Sequence, residues 1–237
     1  MTIVIRKKMI VLFAIFLVVV FSFGFFVTST VQTNVATPLG IKIVIDAGHG
    51  GLDGGSVGAT TGVTERDLNI IYAKKLTKYL EEFGITVINT RLDTNGLYDE
   101  VTDDYKLVDM KKRADIINNS DAQILISIHM NKFSSSSENG AQVFFEHNNE
   151  DSEKLASSIR DILVANFDNA RNLVLEGDYY ILNETEPIGV IVECGFLSNP
   201  TEEKLLQDEE YQNKMCYSIY CGIINYLGIT ETIAQNY

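Results

Sequence analysis

The feature that most constrains this chain is a recurring short run of β-branched residues without alternation. Such runs occur at Ile41-Lys42-Ile43-Val44-Ile45-Asp46, Ile85-Thr86-Val87-Ile88-Asn89, Gln123-Ile124-Leu125-Ile126-Ser127-Ile128 and Gly189-Val190-Ile191-Val192-Glu193. A strand with one wet face alternates apolar and polar residues, whereas a continuous run marks a strand covered on both faces. Between the runs the period lengthens to that of a helix. From Thr64, Leu68, Tyr72, Leu76, Leu80 and Phe83 fall on one face, and Gly84 supplies a stop. Leu107, Met110, Ala114 and Ile117 mark a second helix. Leu155, Ile159 and Leu163 follow a further strand at Ala141–Phe145, and Tyr211, Met215, Ile219, Ile223 and Leu227 close the chain before Gly228. The predicted fold is α/β: a single domain with a mainly parallel twisted sheet flanked by helices on both faces. With 237 residues, 46% of them hydrophobic, there is material for one well-buried domain but hardly for two.

The amino-terminal segment reads as an address. Met9 to Val27 is nineteen residues without a charge, preceded by Arg6-Lys7-Lys8. A secretory core is usually about 7–15 apolar residues, and about 20 span a bilayer as a helix. The basic flank predicts a cytoplasmic amino terminus and an exported remainder. The expected layout is a basic flank at 1–8, a transmembrane anchor or signal sequence at 9–27, a linker at 28–40, a catalytic domain at 41–228 and a tail at 229–237. The localisation that follows is extracytoplasmic, either membrane-anchored through the first segment or secreted.

Charge narrows the partners. The formal net charge is −13, and without Arg6, Lys7 and Lys8 the 19 cations fall to 16 against 32 acids. No basic stripe offsets that field, so nucleic acid is excluded as a partner. Cys194, Cys216 and Cys221 form no disulfide framework and read as buried small hydrophobes.

In an open α/β sheet, ligands bind beyond the carboxyl ends of the strands. His49 lies three residues past the first strand, His129 ends the 123–128 strand, and Glu193 ends the 189–192 strand. Glu65 opens the helix after a glycine-rich loop, so it starts at the same rim. Two imidazoles and a carboxylate with an open fourth position suit a catalytic zinc, whereas closed structural sites favour cysteine. Each residue also has a plain structural reading. Glu65 could merely complement the helix amino terminus, worth about 0.3–1 kcal/mol, and Glu193 could be a salt-bridged carboxylate. The glycine-rich loop lacks the G-K-[ST] of a phosphate cradle. His147, the remaining histidine, reads as a surface residue.

The motifs Asp46-Ala47-Gly48-His49-Gly50-Gly51, Thr64-Glu65, Ser127-Ile128-His129-Met130-Asn131 and Val192-Glu193-Cys194-Gly195-Phe196-Leu197-Ser198-Asn199 resemble the zinc-dependent N-acetylmuramoyl-L-alanine amidases of the amidase-3 type. Thr90-Arg91 with Asp93, and Arg113-Ala114 with Asn118, fall where that family has its arginine motifs. The resemblance spans Ile41 to Leu227. It implies Zn2+ on His49, Glu65 and His129, and Glu193 as the catalytic glutamate. It also implies peptidoglycan as substrate, cleaved at the amide between the muramic acid lactyl group and L-alanine. Zinc suits that bond because it polarises a carbonyl and lowers the pKa of a water. Asn131, two residues past a ligand, would orient the rim or a substrate amide, or is simply a turn residue.

Two further features refine the resemblance. Only Ile229–Tyr237 follows Gly228, with no wall-binding repeats, and a short stretch, 131–140, separates Met130 from the next strand. Division-type relatives carry a site-blocking helix there, so this chain is expected to lack it. A small anchored catalytic domain of this kind is similar to the sporulation and germination amidases of the CwlD type, which process spore cortex, and implies an exported activator protein. The alternatives are a zinc peptidase acting on the stem peptide, for which the usual H-x-x-E and H-E-x-x-H pairs are missing, and a non-catalytic wall-binding scaffold.

Overall fold

Strand β1 (Lys42–Ala47) pairs in parallel with β2 (Thr86–Asn89) on one side and with β3 (Ile124–Asn131) on the other. Beyond β3 lies β6 (Ile188–Phe196), again parallel, then β4 (Gln142–Glu146) antiparallel to β6, and β5 (Val174–Gly177) parallel to β4. The sheet order is β2-β1-β3-β6-β4-β5. This computed structural model describes residues 40–229. The basic flank, the apolar segment 9–27, the linker up to residue 39 and the tail beyond 229 lie outside the described residues. Among those described, no helix is long and apolar enough to cross a membrane.

The mainly parallel sheet thus carries a reversed edge pair that the strand runs did not reveal. The reason is the link 132–141, which is too short for a crossover helix. The chain therefore re-enters the sheet from the rim it has just left. The link contains no helix.

Helices α1 (Glu65–Glu82), α3 (Glu150–Asn166) and α6 (Glu209–Tyr226) cover one face, and α2 (Tyr105–Asn118) with the short α4 (Tyr180–Asn183) covers the other. The strands explain this division. Ile43 and Ile45 pack with Leu68, Leu76, Ile159 and Ile219, while Val44 between them packs with Ile117, Leu125, Leu182 and Ile191. Both faces of β1, β3 and β6 are therefore dry, which is why their apolar runs are unbroken.

Local signals set the ends. The Thr64 side chain accepts from the Asp67 N–H to start α1. Gly84, at φ 95°, turns the chain away from it. One expected face was misread: Leu107 on α2 is exposed, and its buried residues are Asp109, Arg113, Ala114 and Ile117. Half of that face is polar because it sits beneath the loop after β1, whose carbonyls need donors. Between β6 and α6, the short α5 (Pro200–Leu206) contributes Glu202 and Glu203, two buried carboxylates that clamp loops rather than a core. Glu203 accepts from the N–H groups of Thr60 and Thr61, each at 2.7 Å. Cys194 and Cys216 are buried free thiols.

Candidate active site

The parallel β1, β3 and β6 end at one rim, and the ladder runs further there than the apolar runs do. His129 lies within β3 and pairs in register with Glu193 within β6, so neither residue ends its strand. Their side chains face a cleft and not the core, and for that reason the hydrophobic pattern stops while backbone pairing continues. From β1 the chain crosses to the rim through Gly48, whose N–H donates to Ile128 O at 3.0 Å. His49 follows in the left-handed region at φ 63°, an uncommon conformation for a residue with a side chain. It turns the imidazole back over the strand ends.

Two buried arginines hold that conformation. Arg91 donates through Nε to Ala47 O at 2.7 Å and through Nη2 to Gly48 O at 2.8 Å. Arg113 donates to Ala47 O at 2.6 Å, to Asp46 Oδ1 at 2.7 Å, to Asp109 Oδ2 at 2.6 Å and to His49 O. Asn69 Nδ2 also donates to Gly48 O, at 3.0 Å. Asn118, at the end of α2, donates to Glu184 O at 2.9 Å and so ties that helix to the segment after α4.

Asp46 accepts further from Thr90 Oγ1 at 2.6 Å and Ser127 Oγ at 2.7 Å. Burial alone would raise its carboxyl, but the Arg113 guanidinium with the two hydroxyls outweighs burial and lowers it to about 2. A folded pKa below the unfolded value stabilises the fold above the unfolded pKa of about 3.9 and ceases to do so as pH falls through the folded one. The stability difference between the wild type and Asp46→Asn should therefore shrink by about 2 kcal/mol from pH 5 to pH 2. Urea unfolding at the two pH values measures it.

His49, Glu65 and His129 offer one ligand atom each, all within 4.8 Å of one another. Glu65 Oε1 lies 3.1 Å from His49 Nε2 and 2.8 Å from His129 Nδ1, and it also accepts from Met130 N–H at 3.2 Å. Glu65 Oε2 accepts from Ser56 N–H at 2.8 Å, which fixes the carboxylate plane. Burial pushes the Glu65 carboxyl up, but the two imidazoles outweigh it and hold it well below the usual range. Two nitrogens and one carboxylate oxygen around a common point match the donor set of a catalytic zinc centre.

Glycines make room for this packing. A Cβ on Gly48 would lie 2.1–2.7 Å from three atoms of the His129 ring. Gly48→Ala should thus displace that ring and weaken metal binding while most of the fold survives, at a cost of about 1–3 kcal/mol for overpacking. A metal titration beside thermal melting of the metal-free protein checks both halves. Gly55, at φ 64°, has Glu65 Oε2 within 2.5 Å and His49 Cδ2 within 2.7 Å of the same added atom.

Glu193 does not join the three. Its Oε2 is buried and has no hydrogen-bond partner. Burial pushes its carboxyl up to about 7, with Glu65 adding to the rise and His129 opposing it. It lines a cleft of roughly 200 Å³ together with His49 and His129. Tyr98, Tyr105 and Lys106 line the same cleft, as do Tyr179 and Tyr180 at the start of α4.

Asn131 is not brought to this group: it ends β3, its Oδ1 accepts from Lys132 N–H at 2.7 Å, and it does not line the cleft. His147 sits on the surface with Nδ1 2.6 Å from Glu176 Oε2. Sequence reasoning missed Asp53, whose Oδ2 is 2.9 Å from His49 Nδ1, and the cleft tyrosines. The glycines around Asp53 were a usable signal of a tight turn. Tyr179 precedes and Tyr180 opens a four-residue helix, too short for periodicity to mark.

An α/β domain that gathers two imidazoles and two carboxylates around an open cleft at its strand ends has the layout of a hydrolytic enzyme. The family model for N-acetylmuramoyl-L-alanine amidase (Amidase_3) matches residues 43–225, and the chain belongs to that family. It is 40% identical over 195 residues to the germination-specific N-acetylmuramoyl-L-alanine amidase of Bacillus subtilis, covering 80% of this chain and 81% of that protein. Among solved structures it resembles the CwlD amidase from Clostridioides difficile, determined in complex with the GerS lipoprotein. That match has a TM-score of 0.76 at 38% identity and covers 80% of this chain and all of that one. It also resembles an N-acetylmuramoyl-L-alanine amidase from Clostridium difficile 630, at TM-score 0.72 and 30% identity, over 80% and 98% of the two chains.

Proposed function

We propose that this amidase is zinc-dependent, with the metal on His49, Glu65 and His129, and that it hydrolyses the amide between the muramic acid lactyl group and L-alanine in peptidoglycan. The observation that carries the reading is the convergence of His49 Nε2, His129 Nδ1 and Glu65 Oε1 in one cleft with Glu193, whose Oε2 is buried without a hydrogen-bond partner. Zinc bound there would supply Lewis acidity toward the scissile carbonyl and make water acidic enough to act at neutral pH.

The chain's own groups do the rest. Glu193 accepts the proton of the attacking water and returns it to the leaving alanine nitrogen, so the products are a free lactyl carboxylate and a peptide with a new amino terminus. The Gly48–Asp53 loop, fixed by Arg91 and Arg113, keeps His49 in place during it. The tyrosines lining the cleft bring aromatic side chains to the wall where a glycan or peptide would bind.

The biological setting follows from the relatives. The likeness to a germination-specific amidase supports action on spore cortex, and the relative solved with a lipoprotein supports control of this chain by an exported activator protein. The segment 9–27 would hold the enzyme at the outer face of the membrane. Digestion of purified peptidoglycan with and without chelator, followed by mass spectrometry, tests the reaction. The expected products are intact stem peptides beginning at L-alanine, lost when chelator is added. Fragments cut within the stem peptide would point to a peptidase instead.

A further inference from the structure

The centre has a feature that its three proposed ligands do not explain. Gly50 N–H donates to Asp53 O and Asp53 N–H donates to Gly50 O, both at 3.0 Å, closing a tight turn directly after His49. With His49 in the left-handed region, that turn swings the Asp53 carboxylate onto the rear of the imidazole, Oδ2 lying 2.9 Å from Nδ1. The second oxygen is occupied elsewhere: Oδ1 accepts from Lys106 Nζ at 3.0 Å and from Gly55 N–H at 3.3 Å.

An ionised carboxylate can only accept a hydrogen bond, so Nδ1 carries a proton toward Asp53; with a metal held between Nε2 and Glu65, the neutral imidazole keeps its one proton on Nδ1. Its lone pair is then on Nε2, the atom 3.1 Å from Glu65 Oε1. His129 faces the same oxygen through its other nitrogen, Nδ1, at 2.8 Å. The two imidazoles thus have to adopt opposite tautomers to serve one point.

We infer that Asp53 is a positioning residue that locks His49 in the Nε2-donating tautomer toward the metal centre, with Lys106 holding its other oxygen. The inference rests on the zinc reading above. Without Asp53 a neutral imidazole divides between two tautomers and its ring is free to turn, so part of the population presents N–H to the metal instead of a lone pair. Carboxylates behind metal-bound histidines are typically worth about 10–100-fold in affinity.

The test uses the full chain. Zinc affinity is measured by competition with a chromophoric chelator for wild type, Asp53→Ala and Asp53→Asn, beside thermal melting of each metal-free protein. Nitrogen NMR on histidine-labelled, zinc-loaded wild type reads which ring atom carries the proton. Asp53→Ala is expected to bind zinc about 10–100-fold more weakly with its metal-free melting unchanged. Asp53→Asn, whose amide oxygen still accepts from Nδ1–H, should fall between the two. His49 should show a protonated Nδ1 and a metal-bound Nε2.

Equal zinc affinity in wild type and Asp53→Ala, or metal on Nδ1 of His49, overturns the inference. So does a fall in metal-free stability large enough to account for the lost affinity, because Asp53 would then serve only the turn. Should Asp53→Ala not fold, Asp53→Asn decides: weaker zinc with unchanged melting supports the role, and unchanged zinc removes it. A wild type that binds no zinc refutes the zinc reading itself, which is distinct from wild type and variant binding it equally.

Discussion

Glu193→Gln is expected to lower kcat on peptidoglycan by about 10²–10⁴, the usual contribution of a positioned general base and acid, while zinc affinity stays unchanged. Glutamine has the same shape and still fills the wall of the cleft. It cannot take a proton from water or return one to the leaving nitrogen. Zinc should be retained because Glu193 is not among the three residues whose ligand atoms converge.

The variant should also fold at least as well as wild type. A buried carboxylate oxygen without a partner is a cost, and the amide removes its charge. In the metal-free protein the Glu193 carboxyl is raised to about 7, so the fold loses stability as pH rises from the unfolded value of about 4.3 to that folded value. The melting advantage of Glu193→Gln should thus be larger at pH 8 than at pH 5. Activity within a few-fold of wild type would remove Glu193 from the proton path. Loss of zinc would show that it serves the metal instead.

Arg113→Met should cost about 3–5 kcal/mol of stability, the range seen when one partner of a buried ion pair is removed. Arg113 is among the largest fully buried side chains, and it binds Asp46, Asp109, Ala47 O and His49 O at once. Methionine keeps much of the volume but takes the ion-pair partner from two buried carboxylates, Asp46 and Asp109, and a donor from the carbonyls of Ala47 and His49. Lysine would not rescue it, since one ammonium cannot reproduce a planar fork aimed in several directions. The double variant Arg113→Met with Asp46→Asn should recover part of the loss because one stranded charge is gone. Chemical denaturation of the three proteins measures this. A cost below about 1 kcal/mol for the single variant would mean the arginine network is incidental to the loop that carries His49.

How far these residues could be seen in the sequence depended on what their neighbours were. The runs at Ile43–Ile45, Ile124–Ile128 and Val190–Val192 declared buried parallel strands because both faces are dry. Those runs also pointed at His49, His129 and Glu193, since parallel strands deliver their ends to one rim. The true strand ends at Asn131 and Phe196 were hidden because side chains facing a cleft need not be apolar. The antiparallel edge pair was hidden too: β5 is four residues of mixed character with no periodicity of its own. On α2, a 3–4 spacing of apolar residues included the exposed Leu107 and passed over Arg113, because pattern reading treats a charge as solvent-facing. Asp53 was invisible for a different reason. Its role depends on a left-handed backbone at His49, which residue identities alone do not announce.

The most direct test of the metal centre is anomalous X-ray diffraction above the zinc absorption edge from crystals of the zinc-loaded protein. The account predicts a single strong peak bounded by His49 Nε2, Glu65 and His129 Nδ1, with Glu193 outside bonding distance across the cleft. A zinc-loaded crystal with no peak there, or with its peak on other residues, would contradict it.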